Sequence, residues 1–418
     1  MRVRLNYALL ALFSAACGTT PAAIDAGGDA SDGGIVDAST VAWRLTPGTG
    51  SIRLIESQST DGIVLSGFGT DWAADADAPF TVEVNGQADA AVVWSLNTLT
   101  RAVAPYDSGW FLVGAAGTDA TFPKQPAPAT NSEFLADINY GPNTIMVRYM
   151  PPLASGNVEL DGIALGGYGF WTKGTAASTT VDLGTGPIDA GPFDGGAPID
   201  FIGHLSVDTH VTFLPMHVTA LAPAPFGTWG GGFDAAGLHL ITITNANVLT
   251  DLRTFAVTSS DAKSASFDYL VETPTSGDAS NAGIIGSFVN WPSVAVEFGL
   301  PPAGPGGTRV VRFDSVGIPL WSTTLGDPPS MLDSSIRRRV RVFCLIEDVT
   351  GCDSWEIGVL GTDQGVSALF LLDPSGALLK TWHANAGDVI LDFDLFGGAT
   401  VVGTSGSTAL IERLTQFP

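Results

Sequence analysis

A chain of 418 residues with 45% hydrophobic side chains can build a large core, and its formal charge of −24 excludes polyanionic partners, nucleic acids first. Only 14% of the residues are charged, against roughly 25% in ordinary soluble domains, while Gly numbers 51 and Pro 26. That balance fits an exported all-β protein better than a helical cytosolic enzyme.

In chain order, the first predicted element is a targeting segment over residues 1–16. Met1, Arg2, Val3 and Arg4 give a positive start, and Leu5–Phe13 is apolar except at Asn6. Ser14, Ala15 and Ala16 form a small-residue run ending at Cys17. The apolar stretch is too short to span a bilayer, which takes about 20 residues. These residues resemble the signal of a bacterial lipoprotein, with Ser14 where Leu is usual and Leu12 one step early. The resemblance implies cleavage after Ala16, a diacylglyceryl thioether on Cys17 and further acylation, by palmitate or similar chains, of the new amino terminus. Two or three acyl chains anchor a protein durably, whereas one binds only marginally. Gly18, rather than Asp, after the cysteine implies outer-membrane or cell-surface sorting. The other reading is an ordinary secretory signal cut near Ala16, delivering the protein to the periplasm with Cys17 incidental.

Residues 17–40 are low-complexity Gly, Ala, Asp, Ser and Thr with almost no apolar side chains, so they predict a disordered tether. Asp25, Asp29, Asp32 and Asp37 lack the alternating ligand positions and closing Glu of an EF-hand.

Residues 41–418 carry a repeat. Apolar runs ending on Gly recur at Gly62–Gly67, Trp110–Gly114, Gly162–Gly167, Thr228–Gly231, Gly283–Gly286, Gly358–Gly361 and Thr400–Gly403. Partner runs of β type occur at Ala42–Leu45, Val92–Leu96, Phe134–Ile138, Phe201–Leu205, Leu238–Ile243, Val310–Phe313, Leu369–Leu372 and Ala409–Leu414. Ala42 and Ala409 lie 367 positions apart, about 52 per unit over seven units. A period near 50 with short strands predicts a β-propeller, and eight partner runs around seven Gly-ended ones predict that both termini complete one shared blade. The expectation is therefore seven four-stranded blades. The 75 residues between Gly286 and Gly361 leave room for an extra half-unit, which keeps six and eight blades open.

Two units carry the pattern best: Val310–Phe313 followed by Asp314, Gly317 and Trp321, and Leu369–Leu372 followed by Asp373, Gly376 and Trp382. The Asp-x-x-Gly segment is a turn, and the Trp returns along the next strand. These units resemble the degenerate propeller repeats of bacterial, myxobacterial-type surface lipoproteins, the beta-propeller-repeat and delta-60 type. The resemblance implies fold more than function, because propellers host unrelated activities. Within the same region Cys344 and Cys352 flank a predicted strand–turn–strand, which suits a disulfide in an oxidising compartment, with two unpaired thiols as the alternative.

No nucleophile elbow, zinc-protease helix, Cys-x-x-Cys or phosphate loop occurs, and Gly230–Gly232 reads as a tight turn. His204, His210, His217, His239 and His383 suit no compact metal motif. Asp71, Asp75, Asp77, Glu83, Asp89, Asp392 and Asp394 could supply a carboxylate pair on the axis, but solvated loop acids are the simpler reading. The basic run Arg337, Arg338, Arg339 and Arg341 is expected to be neutralised by neighbouring acids, or else to mark an anionic partner. The sequence thus favours a surface-anchored, non-enzymatic binding or structural module, held by the lipid bilayer and facing an unknown protein or carbohydrate. No catalytic, metal or cofactor site is assigned. The alternative is a secreted hydrolase or lactonase with an axial carboxylate or calcium site. The channel discriminates: an enzyme gathers three or more acids, His or Asn there, and a scaffold fills it with small apolar residues or water.

Overall fold

A computed structural model describes Ile35–Val36 and most of residues 41–415. The stretches 1–34, 37–40, 140–144, 151–157, 190–198, 259–265, 275–282, 290–294, 302–306, 328–338 and 416–418, with shorter gaps, lie outside the described residues. Gly33–Pro418 is one compact unit, and every regular element described in it is a strand.

The strands form seven four-stranded antiparallel blades in a ring, a β-propeller. Blade 1 runs Gly50–Ser59, Gly62–Gly69, Pro79–Val84 and Val92–Leu96; blade 2 runs Thr98–Tyr106, Gly109–Ala116, Ser132–Asn139 and Ile145–Met150. Blade 3 holds Val158–Gly166, Gly169–Ala176, Ile199–Leu205 and His210–Leu214, with a small hairpin (Thr180–Asp182, Pro187–Asp189) inserted. Blade 4 holds His217–Ala224, Gly227–Phe233, Leu238–Thr244 and Leu249–Phe255. Blade 5 holds Tyr269–Glu272, Ile284–Val289, Thr308–Phe313 and Pro319–Leu325. Blade 6 holds Val340–Asp348, Gly351–Asp363, Val366–Leu372 and Leu378–His383. Blade 7 takes Asp388–Asp394, Thr400–Ser405 and Thr408–Leu414 from the end of the chain and Val41–Leu45 from its start. The shared blade leaves no open edge at the ring's seam, with Arg44 opposite Glu412 and Leu45 opposite Ile411.

The glycine signature has a steric cause. In five blades the first strand bulges near its start, at Arg53, Arg101, Asp161, Thr219 and Leu391, which the pairing register skips. The second-strand residue opposite the start of each bulge is Gly67, Gly114, Gly174, Gly232 and Gly403 in turn. A Cβ at Gly67, Gly114 or Gly403 would lie 2.0 Å from a carbonyl oxygen of the bulged strand. Six of the seven Gly-ended runs therefore mark second strands. The run from Gly162 falls instead on the first strand of blade 3, whose second-strand glycine is Gly174. Of the partner runs, Val92–Leu96 and Ala42–Leu45 lie on outermost strands and the rest on third strands. Second and third strands are covered on both faces, so they read as continuous apolar runs, as in Leu369–Leu372.

The core is divided. Seven clusters of buried apolar residues lie one at each junction between neighbouring blades. Trp110, Trp171 and Trp382 are fully buried in three of them. Ile35–Val36 adds a short parallel strand to the outer edge of blade 6, with Ile35 opposite Thr381, because that edge offers unpaired backbone groups. Cys17 and the rest of the tether lie outside the described residues.

Candidate functional site

Residues from the first strands of all seven blades line a cavity of about 490 Å³ on the ring's axis. Successive residues of a strand point to opposite faces, so each first strand offers only a few side chains to the axis. In blades 1, 2, 3, 4 and 7 the cavity lies along the C-terminal halves of these strands, and in blades 5 and 6 along their beginnings. A smaller space of about 70 Å³ lies nearer the starts of the first strands, lined by Arg101, Asp161, Lys173, Asp268 and Arg339 among others. The bulges aim residues into this second space: Arg101 reaches Glu133 at 2.6 Å, and Asp161 holds Lys173 at 2.7 Å.

Between the two spaces runs an ion-pair network contributed by blades 1, 6 and 7. The Arg341 guanidinium donates from Nη1 and Nη2 to both oxygens of Glu56, each at 2.9 Å. It also donates to the Ile55 carbonyl at 2.7 Å and lies 3.2 Å from Asp394 Oδ2. Arg339 lies 2.7 Å from Asp392 and stacks over the Tyr269 ring at 5.1 Å. The amides of Ile55 and Ser57 donate to Asp392 at 2.9 Å and Asp394 at 3.1 Å. Burial pushes Asp392 up to about 6 despite Arg339. Burial by itself would lower Arg341, yet Glu56 and Asp394 hold it well above its ordinary value.

The axis thus matches neither expected pattern. The ion-pair network gathers three acids, but two arginines meet them, and the smaller space adds Asp268 and Asp161, the latter held by Lys173. Of the seven candidate carboxylates, Asp392 and Asp394 reach this network, while Asp71, Asp75, Asp77 and Asp89 are exposed. Glu83 is buried within blade 1. Arg339 and Arg341 are neutralised as expected, and Arg337 and Arg338 lie outside the described residues. Gly230–Gly232 lies within a buried strand rather than a turn, because Ile241 and Phe267 press where side chains would stand. Cys344 and Cys352 are joined by a disulfide with Cα atoms 5.7 Å apart, and Cys344 borders the larger cavity.

No histidine lines either axial space. His204 stacks on Trp171 at 4.3 Å, and burial lowers its pKa. His239 sits between Asp234 at 2.8 Å and Asp251 at 3.0 Å, His217 bonds Asp200 at 2.9 Å, and His383 bonds Asp363 at 2.8 Å. His210 is exposed, opposite His204. Among the described residues no group of three or more His, Cys, Asp or Glu is placed to hold a metal ion.

Sequence reasoning missed Glu56, Tyr269 and Glu272. Glu272 ends the first strand of blade 5, and burial pushes it up to about 7. Its folded pKa exceeds the unfolded value of about 4.3, so the neutral acid is favoured by folding. Stability from this group is therefore full below about pH 4 and is lost as pH rises through about 7. Glu272→Gln should accordingly stabilise the protein by about 1–2 kcal/mol at pH 8, discounted for partial exposure, and by nothing measurable at pH 4. Urea titrations at the two pH values check this, and an equal effect at both would contradict it.

No family model matches the chain, and no curated protein does. Among solved structures, Sqt1 from Chaetomium thermophilum is similar at a TM-score of 0.47 and 10% identity, over 90% of this chain and 98% of that one. The AfRom2 CNH domain is similar at 0.43 and 7%, over 90% and 100%. The dihydro-heme d1 dehydrogenase NirN, in complex with DHE, is similar at 0.40 and 11%, over 87% and 66%.

Proposed function

We propose that the protein is an exported, lipid-anchored binding module of the outer membrane or cell surface, and that its ligand sits in the larger axial cavity without being chemically changed. The observation that carries the binding reading is the condition of the axial acids. General acid–base catalysis needs a reachable group whose proton is free to move. Asp392, with its pKa near 6, is fully buried and does not line the larger cavity. Glu56 and Asp394, which do line it, are held by Arg341. This supports binding over the hydrolase or lactonase reading. A calcium ion at the same acids would have to displace two guanidinium groups.

Anchoring rests on the Cys17 signal, with the residues between Cys17 and Ile35 spanning about 20–25 Å as a flexible coil. Metabolic labelling with a radioactive fatty acid should mark the wild-type protein. Cys17→Ser should abolish both the label and retention in the membrane fraction. A serine variant that still sediments with membranes would place the anchor elsewhere.

A further inference from the structure

We propose that the larger axial cavity takes a small amphiphile with a saturated apolar body and one ammonium group. This inference rests on the binding reading above and specifies its ligand class. The cavity has two unlike walls. Blades 2, 3 and 4 supply an aliphatic one, with Val103, Pro105, Ile163, Leu165, Leu221 and Pro223. Opposite them stand the charged lining residues Glu56, Asp394 and Arg341, two acids against one base. A volume of about 490 Å³ falls in the range of about 300–1,000 Å³ typical of small-molecule sites.

The charged wall has acceptors to spare, and its one base is already engaged with acids and a carbonyl. The two terminal nitrogens of a guanidinium carry four N–H groups between them. In Arg341, Nη1 donates to Glu56 at 2.9 Å and is ion-paired with Asp394 at 3.2 Å, and Nη2 donates to Glu56 at 2.9 Å and Ile55 O at 2.7 Å. The remaining donor, Nε, makes no hydrogen bond but is buried, with no surface open to the cavity. An anion would find only the hydroxyls of Ser57 and Tyr269 as further side-chain donors among the lining residues, and would face two carboxylates. Glu56 accepts one Arg341 bond on each oxygen, whereas a carboxylate has about four lone-pair sites. A protonated amine brings the donors and the charge this wall can still receive. The chain's formal charge of −24 also draws cations toward the site.

Calorimetry at pH 7 with n-octylammonium, n-octanol and n-octanoate tests the inference, because the three probes share a body and differ only in the head group. Octylammonium should bind, octanol at least tenfold more weakly, and octanoate not measurably. Glu56→Gln should weaken octylammonium about tenfold and leave octanol within about twofold. Leu221→Trp should abolish binding of every probe by filling the aliphatic wall, with Ile163→Phe as the gentler variant should the first not fold. Asp71→Asn with Asp75→Asn, on an exposed loop, should change nothing, which separates the site from bulk charge. Octanoate binding as tightly as octylammonium would overturn the ammonium assignment and leave the binding reading standing. If no probe binds, or binding survives both cavity-filling variants, the binding reading itself falls and takes this inference with it.

Discussion

Replacing Arg341 with Met should cost the propeller about 3–5 kcal/mol of stability at pH 7, the largest loss expected of any single charged residue in the chain. The guanidinium is nearly buried and is the centre of the axial network, serving Glu56, Asp394 and the Ile55 carbonyl together. Its removal leaves two mostly buried carboxylates and a carbonyl oxygen at the cavity wall without their donor. A buried charge without a partner is far more costly than a pair that was never made. Arg341→Lys should recover less than half of the loss, because one ammonium cannot reproduce the two-pronged bond to Glu56. Adding Glu56→Gln and Asp394→Asn to the Met variant should recover most of it, since the stranded charges disappear. Equilibrium urea unfolding reads all three. A loss under about 1 kcal/mol for the Met variant would mean that solvent or rearrangement already compensates these charges.

The second large effect is expected at the seam. Arg44→Ala should destabilise the ring by about 3 kcal/mol, toward the lower end of the range for a buried pair because Arg44 is 30% exposed. Arg44 lies on the strand that the start of the chain lends to blade 7. It donates to both oxygens of Asp388, at 2.7 and 3.0 Å, and to Glu412 at 3.1 Å. Both acids are buried, so the variant strands two charges where the ring closes. The pH dependence follows from Asp388. Burial would raise its pKa, but the bonds from Arg44 hold it below its ordinary value. A lowered folded pKa gives stability that is present above the unfolded value of about 3.9 and lost as pH falls through the folded one. The difference between wild type and variant should therefore be large at pH 7 and shrink as the pH falls below about 3.9 and through the lowered pKa of Asp388. A gap that stays constant over that range would show that the loss comes from packing of the Arg44 stem rather than from charge.

Much of the fold was legible in the sequence, because a propeller repeats one local pattern. Covered second and third strands need continuous apolar runs, and the bulged first strand needs a glycine opposite it. The eighth partner run, Ala42–Leu45, revealed the shared blade from composition and count together. Where the local pattern misled, the cause was steric rather than compositional. Gly162 sits on a first strand against the Lys173 side chain, and nothing in its neighbours distinguishes it from a second-strand glycine. Blades 2 and 3 are complete, each burying its faces against the next.

The site lay almost wholly beyond sequence reasoning. Asp392 and Asp394 could be named as candidates, as could the arginine run, but not their meeting with Glu56, 285 positions from Arg341. A ring brings together one short stretch from every blade, so axial neighbours share no spacing that a motif could record. Sequence alone determined the repeat and the acidic balance and pointed to seven blades and a Cys344–Cys352 pair, because each follows from local pattern or composition, while the ring fixed the count and the bond. Only the tertiary structure decided which acids face the axis, that two arginines hold them, and that the wall opposite is aliphatic. Those facts depend on which residue of each first strand the closed ring turns inward.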